Sequence, residues 1–309
     1  MRSIADEPVV QELRISGYGD NLPVNGLLST APVISVNSGH RVDSPPTTWS
    51  SIVPTADVAG VLFSNVSRAE AVRLLEVMSR RKNESHLVVT GNLDHMYRLS
   101  YDADFREIYK SASLVLCDGM PVLWLSKLFK TNCSLHHRVT GVDLVSELCK
   151  VSQSTGSRIF LLGGLPGSAE KTRDALCLKY PGCVICGTYC PDAATFGTEG
   201  EQERICEAIQ AVKPHFLLVA LGAPKQERWI AANSHRLGVP VSIGVGGAFE
   251  ICGGSVRRAP NVIQNLGFEW LFRLVHNPRR LWKRYIQVDL PFLLRLIILC
   301  SMRCSIVAP

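Results

Sequence analysis

The sequence lacks a long hydrophobic run. After Pro291 it is apolar for only about a dozen residues and carries Arg295, short of the ~20 residues that a membrane-spanning helix needs. It lacks the G-x-G-x-x-G fingerprint, and no acidic residue ends the strand after the first glycine loop, so a nicotinamide dinucleotide is not expected. No dense cluster of His, Asp and Glu is visible, so metal-free chemistry without a cofactor is the expectation. No internal repeat and no nucleic-acid module appear, so nucleic acid is not an expected partner. The start has neither the basic opening nor the apolar core of a secretory signal. The 11 scattered cysteines are therefore read as free thiols of a reducing cytoplasm.

What is present is 46% hydrophobic residues in a chain of 309, ample for a packed core. The net charge of +6 is modest but unevenly placed. From Arg257 to Arg303 nine basic residues face only Glu269 and Asp289, a net of +7, which leaves −1 for the rest. Residues 1–56, rich in Ser, Pro, Val and Asn, show no sustained period and read as a flexible lead-in. Residues 57–256 read as one catalytic domain and 257–309 as a basic, aromatic appendage.

From Asp57 onward, apolar runs alternate with amphipathic stretches. "VAGVLF", "HLVVTG", "SLVLCD", "RIFLLGG", "CVICGTY", "HFLLVALG" and "VPVSIGVG" read as strands. Helices are expected over Ser67–Arg81, Leu93–Ser111, Pro121–Phe129, Val142–Ser152, Ser168–Lys179, Gly200–Val212 and Pro224–Leu237. Strands apolar along their whole length are buried on both faces. The fold class is therefore α/β: a Rossmann-like parallel sheet with helices on both faces, followed by a C-terminal basic amphipathic helical appendage.

In such sheets ligands sit beyond the carboxyl ends of the strands. Polar and glycine residues gather there: Thr90 and Asn92, Asp118, Gly163 and Gly164, Gly222 to Gln226, and Gly244, Gly246 and Gly247. Any one of them could merely end its strand; together they point to a site. "FLLGGLPGSAEK" reads as strand, glycine loop and helix, with Ser168 as the N-cap, an arrangement that suits a phosphate. "LGAPKQERW" puts Pro224 in a first helical turn, with Lys225, Gln226 and Glu227 projecting toward the sheet edge. "DAD" at Asp102–Asp104 falls inside a helical period and reads as a solvated face rather than a metal pair. Cys183, Cys186 and Cys190, with Cys177 nearby, have a metal-like spacing, yet "GCVICGTY" also reads as a strand in which Cys is a small hydrophobe. In the tail, Trp270, Leu271, Phe272, Leu274, Leu281, Trp282 and Ile286 interleave with Arg273, Arg279, Arg280, Lys283 and Arg284. Such a segment suits a membrane interface first, then a packing helix, then nucleic acid.

Seven blocks, "VVTGNLDHMYRL", "CDGMPVLW", "RVTGVDL", "FLLGGLPG", "LGAPKQERWI", "GVGGAFEICGGSVRRAP" and "LGFEWLFRLVHNPRRLWKRY", resemble in order and spacing the WecG/TagA/CpsF glycosyltransferases over about residues 57–296. The resemblance implies an inverting hexosyltransferase that uses a UDP-sugar, with N-acetylmannosamine the sugar moved by its best-known members. The acceptor it implies is a sugar on a polyprenyl diphosphate at the cytoplasmic face of the membrane, where the enzyme would be peripheral. It implies Asp118 as the base, with Thr90 and Asn92 beside the reacting sugar. Arg138 and Gln226 match further pocket positions, and Arg273, Arg280 and Arg284 match arginines that hold the diphosphate. Gly91 stands where many members carry proline, which is expected to loosen that loop. A non-catalytic nucleotide-binding module and an NAD-dependent oxidoreductase are the alternatives. The donor sugar and the oligomeric state, a homo-oligomer included, stay open at the level of sequence.

Overall fold

A computed structural model describes Trp49 and residues 52–81, 83–129 and 133–306. Most of the proposed lead-in, residues 1–56, lies outside the described residues. The packed chain begins ahead of residue 57: Trp49 and Val53 are buried, and the Trp49 ring lies under the Arg81 guanidinium at 4.6 Å.

Strands β1 (Thr55–Val58) and β2 (Val61–Ser64) come first, then α1 (Arg68–Ser79), β3 (His86–Gly91), α2 (Leu93–Tyr101), α3 (Ala103–Ser111), β4 (Leu114–Cys117) and α4 (Met120–Leu128). The middle of the chain forms α5 (Gly141–Thr155), β5 (Arg158–Gly163), α6 (Ser168–Lys179), β6 (Val184–Tyr189), α7 (Glu199–Val212), β7 (Phe216–Ala220), α8 (Lys225–Leu237), β8 (Val241–Gly244) and α9 (Ala248–Cys252). Beyond it lie α10 (Asn261–Asn265), α11 (Glu269–His276), α12 (Pro278–Trp282), a π-helical stretch over Lys283–Asp289 and α13 (Leu290–Ile306).

Six strands form one parallel sheet in the order β4-β3-β8-β7-β5-β6. The period-2 alternation of strands sorts their apolar residues into two cores. Val89, Val115, Leu162, Leu217 and Val219 enter one, while Val88, Leu116, Leu161, Leu218 and Ile243 enter the other. Burial on both faces is thus the fate of the four inner strands and of β4 at one edge. β6 departs from the expectation: it lies at the other edge of the sheet, and none of its residues is fully buried. "VAGVLF" departs further. It is a hairpin outside the main sheet, because Ala59 and Gly60 take φ of 54° and 87°, the pair of positive angles that a two-residue reversal demands.

Helix starts follow local chemistry. Ser67 and Glu70 form a reciprocal capping box on α1, and Thr140 and Thr198 cap α5 and α7. The single helix expected over Leu93–Ser111 is broken at Asp102, whose extended backbone ends α2 and whose Oδ1 accepts from Phe105 N at 3.0 Å to start α3. Asp102 also pairs with Arg228 at 2.6 Å, so "DAD" holds a cap and an interhelix ion pair. At α6 the cap position belongs to Gly167, in the left-handed conformation, and Ser168 is the first helical residue. The C-terminal helices return over the carboxyl edge of the sheet. Phe292 packs edge-on against Tyr97 of α2 at 5.4 Å, and Cys300 Sγ lies 3.2 Å from the Leu128 carbonyl of α4.

Candidate active site

Where β3, β4 and β8 end, a cavity of about 260 Å³ opens beneath the returning C-terminal helices. Thr90, Asn92, Asp118, Arg138, Gln226 and Gly246 line it, as do Gly247, Arg273 and Arg284. Gly163, Gly164 and Gly222 lie outside the lining. A Cβ on Gly163 would sit 3.0 Å from the Ala220 backbone and one on Gly164 2.2 Å from Ser168 Oγ, so these two glycines close the β5–α6 turn by direct packing. Arg280 belongs to α12, and its side chain lies outside the described residues.

Asp118 follows the last residue of β4. Its N–H bonds to the Gly91 carbonyl at 2.7 Å, which continues the strand pairing by one step. Gly119 then takes φ 143°, a conformation side chains resist, and the chain turns into α4 with Pro121 in its first turn. The carboxylate is thereby turned into the cavity, not into the sheet. Its Oδ2 accepts from Gly141 N, at the N-terminus of α5, over 3.4 Å. Burial pushes its pKa up to about 6; Arg138 and Arg273 act to lower it, and the Glu269 carboxylate raises it. Such a group is ionised at neutral pH yet basic enough to take a proton.

Thr90 and Asn92 are held by the scaffold. Thr90 Oγ1 donates to the Gly244 carbonyl at 2.7 Å, tying β3 to β8. Asn92 Oδ1 caps α2 through His95 N at 3.2 Å and accepts from Arg284 Nη2 at 3.3 Å. Gln226 is buried: its Oε1 accepts from Gly222 N and Gly246 N at 3.2 and 3.1 Å, and its Nε2 donates to Glu227 at 2.7 Å. It stitches two glycine turns together. Of its neighbours, Glu227 is buried as well, whereas Lys225 stands over the Phe196 ring at 4.9 Å. Gly91 is not loose. It is a strand residue, and a Cβ there would lie 2.9 Å from both the Phe63 ring and the Tyr109 hydroxyl.

The C-terminal helices supply the cations. Arg273 Nη2 approaches to 3.4 Å of the point where a Cβ on Gly247 would sit, a reason for glycine there. Arg284 lies near Asp289 at 3.5 Å and Asp94 at 3.9 Å. Burial works to raise the Asp94 pKa, but Arg284 and Arg98 hold it below the usual range, whereas Asp289 is pushed up to about 7 by burial. Behind them His95, driven down to about 3 by burial, is a neutral partner of the Tyr109 hydroxyl at 2.6 Å. Asp94, Gly141, Glu250, Glu269 and Asp289 are the site residues that sequence reasoning missed. Glu269 and Asp289 carried one signal, as the lone acids of a basic tail.

Cys186 Sγ lies 3.3 Å from the Ile159 carbonyl and Cys190 Sγ 3.5 Å from that of Gly164, while Cys183 faces Cys177 at 3.8 Å. The three thiols thus have separate partners, and among the described residues no three metal-ligating side chains converge. No described helix is long and apolar enough to cross a membrane.

A cavity with a carboxylate of raised pKa, arginines and glycine turns at the carboxyl edge of a parallel sheet suits proton abstraction beside a phosphorylated ligand. Proteins named N-acetylglucosaminyldiphosphoundecaprenol N-acetyl-beta-D-mannosaminyltransferase from Staphylococcus aureus strains MRSA252 and NCTC 8325 / PS 47 are each 29% identical over 230 residues, 74% of this chain and 85% of theirs. The profile of the Glycosyl transferase WecG/TagA/CpsF family matches residues 56–303, a span that takes in both the sheet and the C-terminal helices. With the match running through every element that builds the cavity, the chain belongs to the WecG/TagA/CpsF family of glycosyl transferases.

Proposed function

We propose that the protein transfers a hexose, N-acetylmannosamine foremost, from a UDP-sugar to the sugar of a polyprenyl diphosphate lipid, with inversion at the anomeric carbon. The observation that carries this reading is the sharing of one cavity by Asp118 and by Arg273 and Arg284 of the C-terminal helices. An acceptor hydroxyl loses its proton to Asp118 as its oxygen bonds to the anomeric carbon. The bond from that carbon to the UDP oxygen breaks on the opposite face. The electron pair that leaves with UDP is met by guanidinium groups and by backbone N–H groups of the glycine turns. Thr90 and Asn92 border the reacting sugars, and Arg138 stands between the base and the C-terminal helices.

The acceptor's lipid requires a membrane surface. Exposed Val262, Leu266, Phe268, Leu271, Val275 and Trp282 share the C-terminal segment with the basic residues Arg279, Lys283 and Arg295. This composition supports peripheral attachment to anionic lipid at the cytoplasmic face. The test is incubation with a panel of UDP-hexoses and a lipid-diphosphate-linked N-acetylglucosamine acceptor. UDP release with a new lipid-linked disaccharide is expected. Nucleotide binding without transfer from any donor would instead make this a binding module.

A further inference from the structure

Asp118 has an arginine beside it but no ion pair. Among the described residues, no Lys or Arg nitrogen pairs with its carboxylate within 4 Å, and its hydrogen bond is the long one from Gly141 N. The arginine is held elsewhere. Arg138 Nη1 donates to Glu269 Oε2 at 2.9 Å, and Nη2 reaches Gln264 Oε1 at 3.5 Å. Both anchors belong to the C-terminal segment, more than 120 residues further along the chain. Glu269 is itself held: its Oε1 lies 3.9 Å from Arg258 Nε, and Arg258 Nη2 donates to Asp143 of α5 at 2.7 Å. Charges thus alternate along Asp143–Arg258–Glu269–Arg138, and the chain of pairs stops short of Asp118.

We propose that Glu269 is a positioning residue which keeps the Arg138 guanidinium off the Asp118 carboxylate and so leaves that carboxylate free to act as a base. An opposite charge paired with a carboxylate lowers its pKa by roughly 1–3 units and weakens it as a proton acceptor in proportion. The Glu269–Arg138 pair is mostly buried, with side-chain exposures of 15% and 16%, so a guanidinium stripped of this partner has strong reason to find another anion. Asp118 lines the same cavity and already feels the charge of Arg138. The same contact makes the base dependent on the C-terminal helices being in place: α11 must be seated over the sheet before Arg138 is drawn aside. The groups facing Asp118 are Arg138, Glu269 and Arg273, with the Gly141 N–H from α5 and the Cys117 thiol from its own strand. Those facing Glu269 are Arg138, Arg258 and the Asp118 carboxylate itself. This inference rests on Asp118 being the base.

The experiment is the pH profile of kcat/KM for sugar transfer by the full chain, in wild type, Glu269→Gln, Glu269→Asp and Arg138→Met, and in the double variant Glu269→Gln/Arg138→Met. Glu269→Gln should move the acid limb to lower pH by about one unit or more. It should also lower the plateau rate roughly tenfold through the weaker base. Glu269→Asp, which keeps the charge but withdraws it from Arg138, should shift the limb partway, and it carries the test if the Gln variant does not fold. In the Arg138→Met background the Gln substitution should move the limb much less, because no guanidinium is left to swing. A merely structural role for Glu269 would lower melting temperature without that coupling. Folded Gln and Asp variants with a wild-type acid limb would overturn the proposal while leaving the base assignment intact. Near-normal turnover by Asp118→Asn would remove the base assignment itself.

Discussion

Asp118→Asn should make the protein inactive and, above pH 6, more stable. The two effects come from one cause. Burial in the cavity raises the carboxyl from an ordinary 3.8 to about 6 in the folded state. A group whose folded pKa lies above its unfolded one favours the fold while protonated and penalises it once ionised. Wild type therefore loses this contribution as pH rises from about 4 through 6, and the loss is complete at pH 8. A shift of two units corresponds to ~3 kcal/mol at 1.36 kcal/mol per unit, an upper bound because the side chain keeps some contact with solvent. Asparagine has no charge to bury and retains an acceptor for the Gly141 N–H. The variant should thus gain about 1–3 kcal/mol over wild type at pH 8 and nearly nothing at pH 4. Turnover should fall by ~10²–10⁴, the usual worth of general-base assistance. Urea titrations at the two pH values, paired with the transfer assay, measure both. A variant less stable than wild type at pH 8, or a stability difference that ignores pH, would refute the claim that this carboxylate is strained by desolvation.

Gly141→Ala would place a Cβ 2.7 Å from the Val245 carbonyl oxygen, which backbone cannot easily yield. A loss of roughly 1–3 kcal/mol in stability is expected, with reduced transfer as the N–H facing Asp118 is displaced. Gln226→Leu strands the Gly222 and Gly246 N–H groups and leaves Glu227 without its amide donor; melting should show a loss of about 2–3 kcal/mol. A chain ending before Phe268 lacks Glu269, Arg273 and Arg284 together. It should neither sediment with anionic liposomes nor turn over a short, water-soluble acceptor at a normal rate, and full activity on that acceptor would reduce the segment to an anchor.

Much of the architecture is legible locally. "FLLVA" is apolar at every position and "RIFLLG" at every position after Arg158, which a strand covered on both sides satisfies, and both are inner strands. Helix starts at Ser67, Thr140 and Thr198 are written in the cap residues. The errors have equally local reasons. "VAGVLF" has a strand's composition, but its reversal depends on Ala59 accepting a left-handed angle that alanine seldom takes. The break at Asp102 looks like a continuous helical period because its cap and its ion pair with Arg228 both form from a residue that also suits a helix face. The edge position of β6 depends on strand order, which no single strand encodes.

The sequence by itself determined the parallel sheet, the strand ends where polar residues collect, and the placement of Asp118 at one of them. Those follow from interactions between residues a few positions apart, where apolar periodicity and backbone preference act directly. Only the tertiary structure decided which of these residues share a cavity. Asn92 meets Arg284 across 192 positions, and Arg138 meets Glu269 across 131. Such pairs depend on how the C-terminal helices dock. Their charges stabilise each other only when that docking removes water from between them, and a linear pattern of residues carries no measure of that.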